Sequence, residues 1–217
     1  MVVAQESINV KKRNGRGLEI LNIEKIHEMV EYACEDITGV SSSQVEMKSG
    51  LQFFDGITTN DIQQILVKSA ADLISLESPN YTYVASRLLL YSLRKQVIHK
   101  LWDHPHFYDH VKNVVNMKLY DDKILINYQR KDFDRMENWI NHNRDYDFTY
   151  AGLRQVIDKY LVQDRSTNQV YETPQFMYMM IAATLFAKYP KETRMTYVKK
   201  YYDAISQFKI NIPNPVM

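Results

Sequence analysis

The chain has 217 residues, long enough for one or two domains whose core buries roughly 70% of the surface an unfolded chain exposes. Lys and Arg total 27 against 26 Asp and Glu, a net charge of +1 that argues against a general binder of nucleic acid or acidic membrane and makes any anion site local. The single cysteine, Cys34, excludes a disulfide framework, a Cys-rich zinc site and a dithiol redox pair within one chain, in keeping with a reducing cytosol.

The start, "MVVAQESINV", lacks the charged-then-apolar pattern of a leader. The most apolar run, "MYMMIAATLFA", falls well short of the ~20 residues a membrane helix needs, so a soluble, cytoplasmic protein is expected. "INVKKRNGRGLEILN" predicts two short strands around Asn14-Gly15 and Gly17, because Asn-Gly supplies the positive φ angles of tight hairpins. Asn22 then suits a helix cap, and Ile23, Ile26, Val30, Ala33 and Ile37 share one face, so residues 23 to 37 are expected to be an amphipathic helix. A second helix is expected after "VSSS", capped by a serine and ending near Asp55-Gly56, and Thr58 or Thr59 caps a third with Ile62, Ile65, Leu66 and Leu73 on its apolar face. Pro79 opens a fourth that runs through "YVASRLLLYSLRKQVIHKLW".

From "DHPHFYDHV" onward the pattern stays helical, broken by one hairpin in "YLVQDRSTNQVYE". Pro174 starts an apolar helix to about Tyr189, and "KETRMTYVKKYYDAISQF" supplies another. The end, "KINIPNPVM", is extended and proline-punctuated, without a closing polar cap, and reads as cut rather than finished. The expected class is therefore mainly α. Residues 1–100 form a β-hairpin cap on four helices, and residues 101–217 form a helical domain with one small hairpin.

Lys11, Lys12, Arg13 and Arg16 gather in a chain that is otherwise almost neutral. They fit either a strand edge protected by lysines or a triphosphate clamp, in which each cation near 4 Å contributes on the order of 4 kcal/mol at an effective dielectric of 20, before desolvation. Arg94-Lys95 joins such a clamp only if the hairpin caps the fourth helix.

"VKKRNGRGLEILNIEKIHEMVEYA", "QFFDGITTNDIQQILVKSAADLI" and "YVASRLLLYSLRKQ" resemble the ATP-cone, an allosteric nucleotide-binding module. "LYDDKIL", "INHNRDYDFTYAGLRQVIDKYLVQDR", "YETPQFMYMMIAATLF" and "YPKETRMTYVKKYYDAISQFKINIPNPVM" resemble the N-terminal helical domain of the class I ribonucleotide reductase large subunit, so the likeness covers nearly the whole chain. It implies that Val10, Lys12, Arg13, Glu19, Asn22, Lys25, Thr59 and Lys95 surround ATP or dATP. By chemistry, Lys12, Arg13 and Lys95 suit the phosphates and Glu19 with Asn22 the adenine edge, while Lys25 and Thr59 suit phosphate or ribose. Gln63 stands where the bacterial pattern has a histidine near the ribose, which puts the balance between ATP and dATP in doubt.

The resemblance further implies a regulatory segment that lacks the catalytic cysteines and is inactive alone, with no catalytic cofactor of its own. Its implied partners are the remainder of the large subunit carrying the catalytic barrel, on the same or a separate chain, a small radical-generating beta subunit, and a second alpha subunit in a homodimer. Asn214 aligns with a family threonine that touches substrate, although a plain loop role is the simpler expectation. Two other functions compete: a helical interaction module with a cone that does not bind, and a nucleotide-sensing repressor, whose four-cysteine zinc ribbon a chain with one cysteine cannot supply. His104, His106 and His110 are expected to be surface histidines rather than metal ligands. Tyr201, Tyr202 and the Met177, Met179, Met180 cluster are assigned to packing.

Overall fold

The computed structural model describes residues 8–12 and 17–210. Its elements run β1 (Asn9–Lys11), β2 (Leu18–Ile20), α1 (Ile23–Cys34), α2 (Ser42–Gly50), β3 (Ile57–Thr58), α3 (Thr59–Ala71), α4 (Tyr81–Val97), α5 (Phe107–Asn116), α6 (Lys123–Asn127), α7 (Arg130–Glu137), α8 (Tyr150–Gln155), β4 (Gln163–Asp164), β5 (Gln169–Val170), α9 (Pro174–Phe186) and α10 (Lys191–Ser206). A 3-10 turn covers His142–Asp147 and a π turn Val156–Tyr160. The class is mainly α. Contacts divide the chain into one unit of residues 1–92 with 148–154 and another of residues 93–147 with 155–217.

In the first unit the expected hairpin is one part of a three-stranded sheet of order β2-β1-β3. β1 pairs antiparallel with β2, Val10 opposite Glu19, and parallel with β3, Val10 opposite Ile57. The third strand comes from the stretch where the second helix was expected to end. That helix stops at Gly50, and the following turns carry the chain to Gly56, which takes a φ of +81° and donates its N–H to the Asn9 carbonyl at 2.8 Å. Asp55 fastens the same edge by accepting from the Asn9 backbone N–H at 2.8 Å and the Asn9 amide at 2.9 Å. No serine caps α2 through its side chain; Ser41 stands at the cap with its own N–H donated to the Tyr81 hydroxyl at 2.9 Å.

Asn22 caps α1 as expected, its Oδ1 accepting from the Lys25 N–H at 2.9 Å. Ile26, Val30 and Ala33 are buried beneath α1, whereas Ile23 remains 71% exposed. The helix ends three residues before Ile37, because Arg87 of α4 donates to the Glu35 carbonyl and Asp36 turns away at a φ of 59°. Thr58 caps α3 in a reciprocal box with Asp61, whose N–H donates to Thr58 Oγ1 at 3.0 Å while its carboxylate accepts from the Thr58 N–H at 3.3 Å. Ile62, Leu66, Val67 and Ala70 line its buried face, and Leu73 lies past its end. α4 begins two residues after Pro79 and ends at Val97, since His99 adopts a φ of 58°.

The second unit is built around α9 and α10. Pro174 stands at the first position of α9, where its missing N–H costs nothing. Phe107, Phe133 and Phe176 form a ring cluster with centroids 5.3 and 5.8 Å apart about Phe107. Tyr202 is fully buried, its hydroxyl donating to Gln175 Oε1 at 2.7 Å and accepting from the Asn141 N–H at 2.9 Å, so it is a packing residue. Met177 and Met179 are core side chains and Met180 is half-buried. The expected hairpin forms, two residues per strand, with Asn168 at a φ of 57° in its turn.

The histidines depart from expectation. His110 is 7% exposed and packs on Phe176 with centroids 4.5 Å apart. His104 stacks face to face on His142 at 3.5 Å, their planes 7° apart. Burial pulls His104 and His110 down to about 4 and His142 to about 2, so all three are neutral at physiological pH. Sequence spacing suggested solvated rings because it could not show Phe176 arriving from α9. Among the described residues no group of three or more His, Cys, Asp or Glu side chains is placed to hold a metal.

Candidate functional site

Most candidate nucleotide residues of the first unit lie on the three-stranded sheet or at the starts of α1 and α3. Val10 is a core residue, 6% exposed, and anchors the middle strand. Across from it Glu19 projects from β2 and forms an ion pair with Lys12, the two side chains 57% and 40% exposed. The register that sets Lys11 beside Thr58 carries the chain of β1 past the start of α3 on its way to Lys12. Thr59 is the first residue of α3, and its Oγ1 is buried without a hydrogen-bond partner. A helix start offers free N–H groups and the positive end of the macrodipole, so this end of the sheet favours an anion. At the other end of β2, Asn22 and Lys25 form the first turn of α1, and Lys25 is exposed.

Two polar groups are already committed. Asn22 Oδ1 serves the α1 cap, which leaves its amide N–H donors for other partners. Gln63 is 3% exposed and donates its Nε2 to the Leu88 carbonyl of α4 at 2.9 Å, so that its amide ties two helices together. Lys95 lies half-buried in the last turn of α4. Arg13, Arg16 and Asn214 lie outside the described residues, as does the Asn14-Gly15 turn.

The basic pair Arg94-Lys95 splits. Arg94, itself at the start of the second unit, is 1% exposed, and its guanidinium meets Asp145 Oδ2 at 3.2 Å and the His142 carbonyl at 2.9 Å. Asp145 also accepts from the Gln175 amide at 2.9 Å, and Gln175 accepts from Tyr202, which makes a continuous buried polar chain. Burial lifts the Asp145 carboxyl to about 6 while Arg94 and Gln175 pull it down. Sequence reasoning missed this network. Its directly bonded members are up to 51 residues apart, and nothing in their spacing marks them as partners.

The ATP cone domain family matches residues 8–96, and the family described as ribonucleotide reductase, all-alpha domain, matches residues 146–217. The chain carries an ATP-cone and a ribonucleotide reductase all-alpha domain. It is 48% identical over 212 residues to the ribonucleoside-diphosphate reductase subunit alpha of Haemophilus influenzae, covering 98% of this chain and 28% of that relative. The ribonucleoside-diphosphate reductase 1 subunit alpha of Escherichia coli is 46% identical over the same shares, and the subunit alpha of Enterobacteria phage T4 is 39% identical over 97% of this chain and 27% of its own length. The chain thus spans little more than a quarter of these relatives. The cone match includes every candidate nucleotide residue from Val10 to Lys95, and an ATP-cone is an allosteric nucleotide-binding domain. Among the described residues no helix is long and apolar enough to cross a membrane.

Proposed function

We propose that this chain is the regulatory segment of a cytoplasmic ribonucleoside-diphosphate reductase, with a cone at residues 1–100 that binds ATP or dATP and a helical domain at 101–217 that meets the rest of the alpha subunit. Nucleotide binding acts through differential affinity for two assemblies of the enzyme, which include a second alpha subunit and a radical-generating beta subunit. Reduction of ribonucleotides itself belongs to the remainder of the subunit, since this chain has one cysteine. The ligand set is Val10, Lys12, Arg13, Glu19, Asn22, Lys25, Thr59, Gln63 and Lys95; Asn214 is a weaker candidate for an edge contact with substrate.

The observation that carries this assignment is the unpartnered Thr59 hydroxyl, buried at the start of α3 beside which β1 leads on to Lys12. A buried hydroxyl without a partner costs about 1–3 kcal/mol, which a ribose or phosphate oxygen offsets. The Lys12–Glu19 pair must open for Lys12 to reach a phosphate. Both side chains are substantially exposed, and such a pair is worth at most about 1 kcal/mol, small beside the roughly 8 kcal/mol of a micromolar complex.

A thermal-shift titration tests the proposal. ATP or dATP at 100 times its dissociation constant should raise stability by about 2.7 kcal/mol, and Lys12→Ala or Lys95→Ala should abolish the gain while Lys188→Ala, at an exposed position between α9 and α10, keeps it. A flat titration with both nucleotides would instead favour an interaction module.

A further inference from the structure

α9 is apolar on every side, a composition that belongs to a helix covered all round. Within its unit it packs along α10 and, through Phe176, on the cluster of Phe107 and the stacked histidines. Its remaining side carries Met177, Met180, Ile181, Thr184 and Leu185, spaced as one helical face, with Lys188 just past its end. This face is one wall of an open cleft of about 640 Å³, with Leu119 and Ile124 on the opposite wall. Leu185 remains 43% exposed and Thr184 is open to solvent.

The cleft's buried carboxylate is already satisfied. Glu172 accepts from the Val162 N–H at 2.7 Å through one oxygen and from the Tyr120 hydroxyl through the other. Lys123 is held by Asp121 at 3.3 Å. What faces outward is largely apolar surface, flexible at the half-buried Met180, with the exposed Lys188 at its margin. That chemistry fits an aromatic or branched aliphatic anchor flanked by an acidic residue.

We infer that the cleft between α9 and the segment Leu119–Ile124 is the socket for an apolar anchor from the part of the alpha subunit that lies outside the matched region. The occupant follows from two observations together: the uncovered side of an otherwise buried helix, and relatives of which this chain spans only 28%. The inference rests on the partner assigned under the proposed function. It adds the surface at which that partner meets this chain.

The test uses the whole 217-residue chain with a separately expressed probe, the Haemophilus influenzae alpha subunit deleted of its matched region. Calorimetry at micromolar concentration should detect a complex. Leu185→Asp and Lys188→Glu should each weaken it by about tenfold or more, the loss expected for a central anchor contact. Leu76→Asp, at a position 97% exposed in the first unit, should leave it unchanged. Circular dichroism and the ATP thermal shift of each variant control for folding and for the cone. A complex indifferent to both cleft variants overturns the inference, as does no complex with a probe that circular dichroism shows to be folded while the ATP shift persists. Loss of the ATP shift with the complex intact would instead count against the nucleotide assignment.

Discussion

The two units treat histidine in opposite ways. In the first, His27 of α1 is exposed and bridges two carboxylates, its Nδ1 2.8 Å from Glu46 and its Nε2 3.2 Å from Glu31, which raises its pKa. In the second, His104, His110 and His142 are withdrawn from water and lowered. The same contrast holds for ion pairs, because Lys12–Glu19 is largely solvated while Arg94–Asp145 has side chains 2% and 0% exposed. A regulatory cone needs polar groups that exchange partners cheaply. The buried pair of the second unit holds one arrangement.

The sharpest way to break this comparison is to remove a member of the buried pair. Asp145→Ala leaves the Arg94 guanidinium without its counter-charge and the Gln175 amide without its acceptor, and one-sided removal from a buried pair costs about 3–5 kcal/mol. Denaturant unfolding should show that loss. A loss below about 1 kcal/mol would place the pair with the surface bridges. The double variant Arg94→Met with Asp145→Leu should recover much of the stability, since the cost lies in the stranded charge.

Acid provides the next largest effect. His110 has a folded pKa of about 4 against 6.5 unfolded, so the unfolded chain takes up the proton first as pH falls. Its contribution is complete above 6.5 and is lost on acidification toward 4, on the order of 3 kcal/mol. Glu172, raised to about 7 by burial, and Asp145 act in the opposite direction, because the folded chain binds their protons more tightly in the same range. The histidine contribution is therefore best read by difference. His110→Leu should flatten the acid limb of a stability profile relative to the native chain, and equal slopes would show that His110 is not titrating there. His27 has the reverse sign: its stabilisation is present at low pH and fades as pH rises through its elevated pKa.

These predictions depend on residues whose roles differed in how far the sequence revealed them. Asn22, Thr58 and Pro174 marked helix starts correctly because capping is a local matter, decided within a few residues. The apolar stripe of α1 was legible for the same reason, although its end was not, since Arg87 from a distant helix satisfies the last carbonyls. β3 could not be seen: two residues carry no alternation, and only their pairing with β1 makes them a strand. In the candidate site the lysines and the Glu19, Asn22 pair stood out as charge and capping signals. The engagement of Gln63 with α4, the burial of Arg94 and the unpartnered Thr59 hydroxyl all depend on contacts made after folding.

A smaller effect probes the first unit through its local chemistry. Thr58→Ala removes the box that links the end of β3 to the start of α3, and loss of such a cap costs about 1 kcal/mol. The same substitution should also lower nucleotide affinity in the cone, because Thr59 is the next residue and its hydroxyl is placed by this turn. A normal ATP titration in a destabilised Thr58→Ala protein would separate the cap from the site.

The smallest expected change is the most informative about regulation. Glu19→Gln releases Lys12 from its ion pair, and with both side chains solvated the unliganded protein should lose less than about 1 kcal/mol, an effect further reduced by salt. If Glu19 only restrains Lys12, the variant should bind inorganic triphosphate more tightly than the native chain, because the lysine no longer has to leave a partner. If Glu19 also meets the adenine edge, ATP should lose affinity while triphosphate gains. Competition calorimetry with the two ligands distinguishes these roles, and a variant that binds both as the native chain does would remove Glu19 from the site.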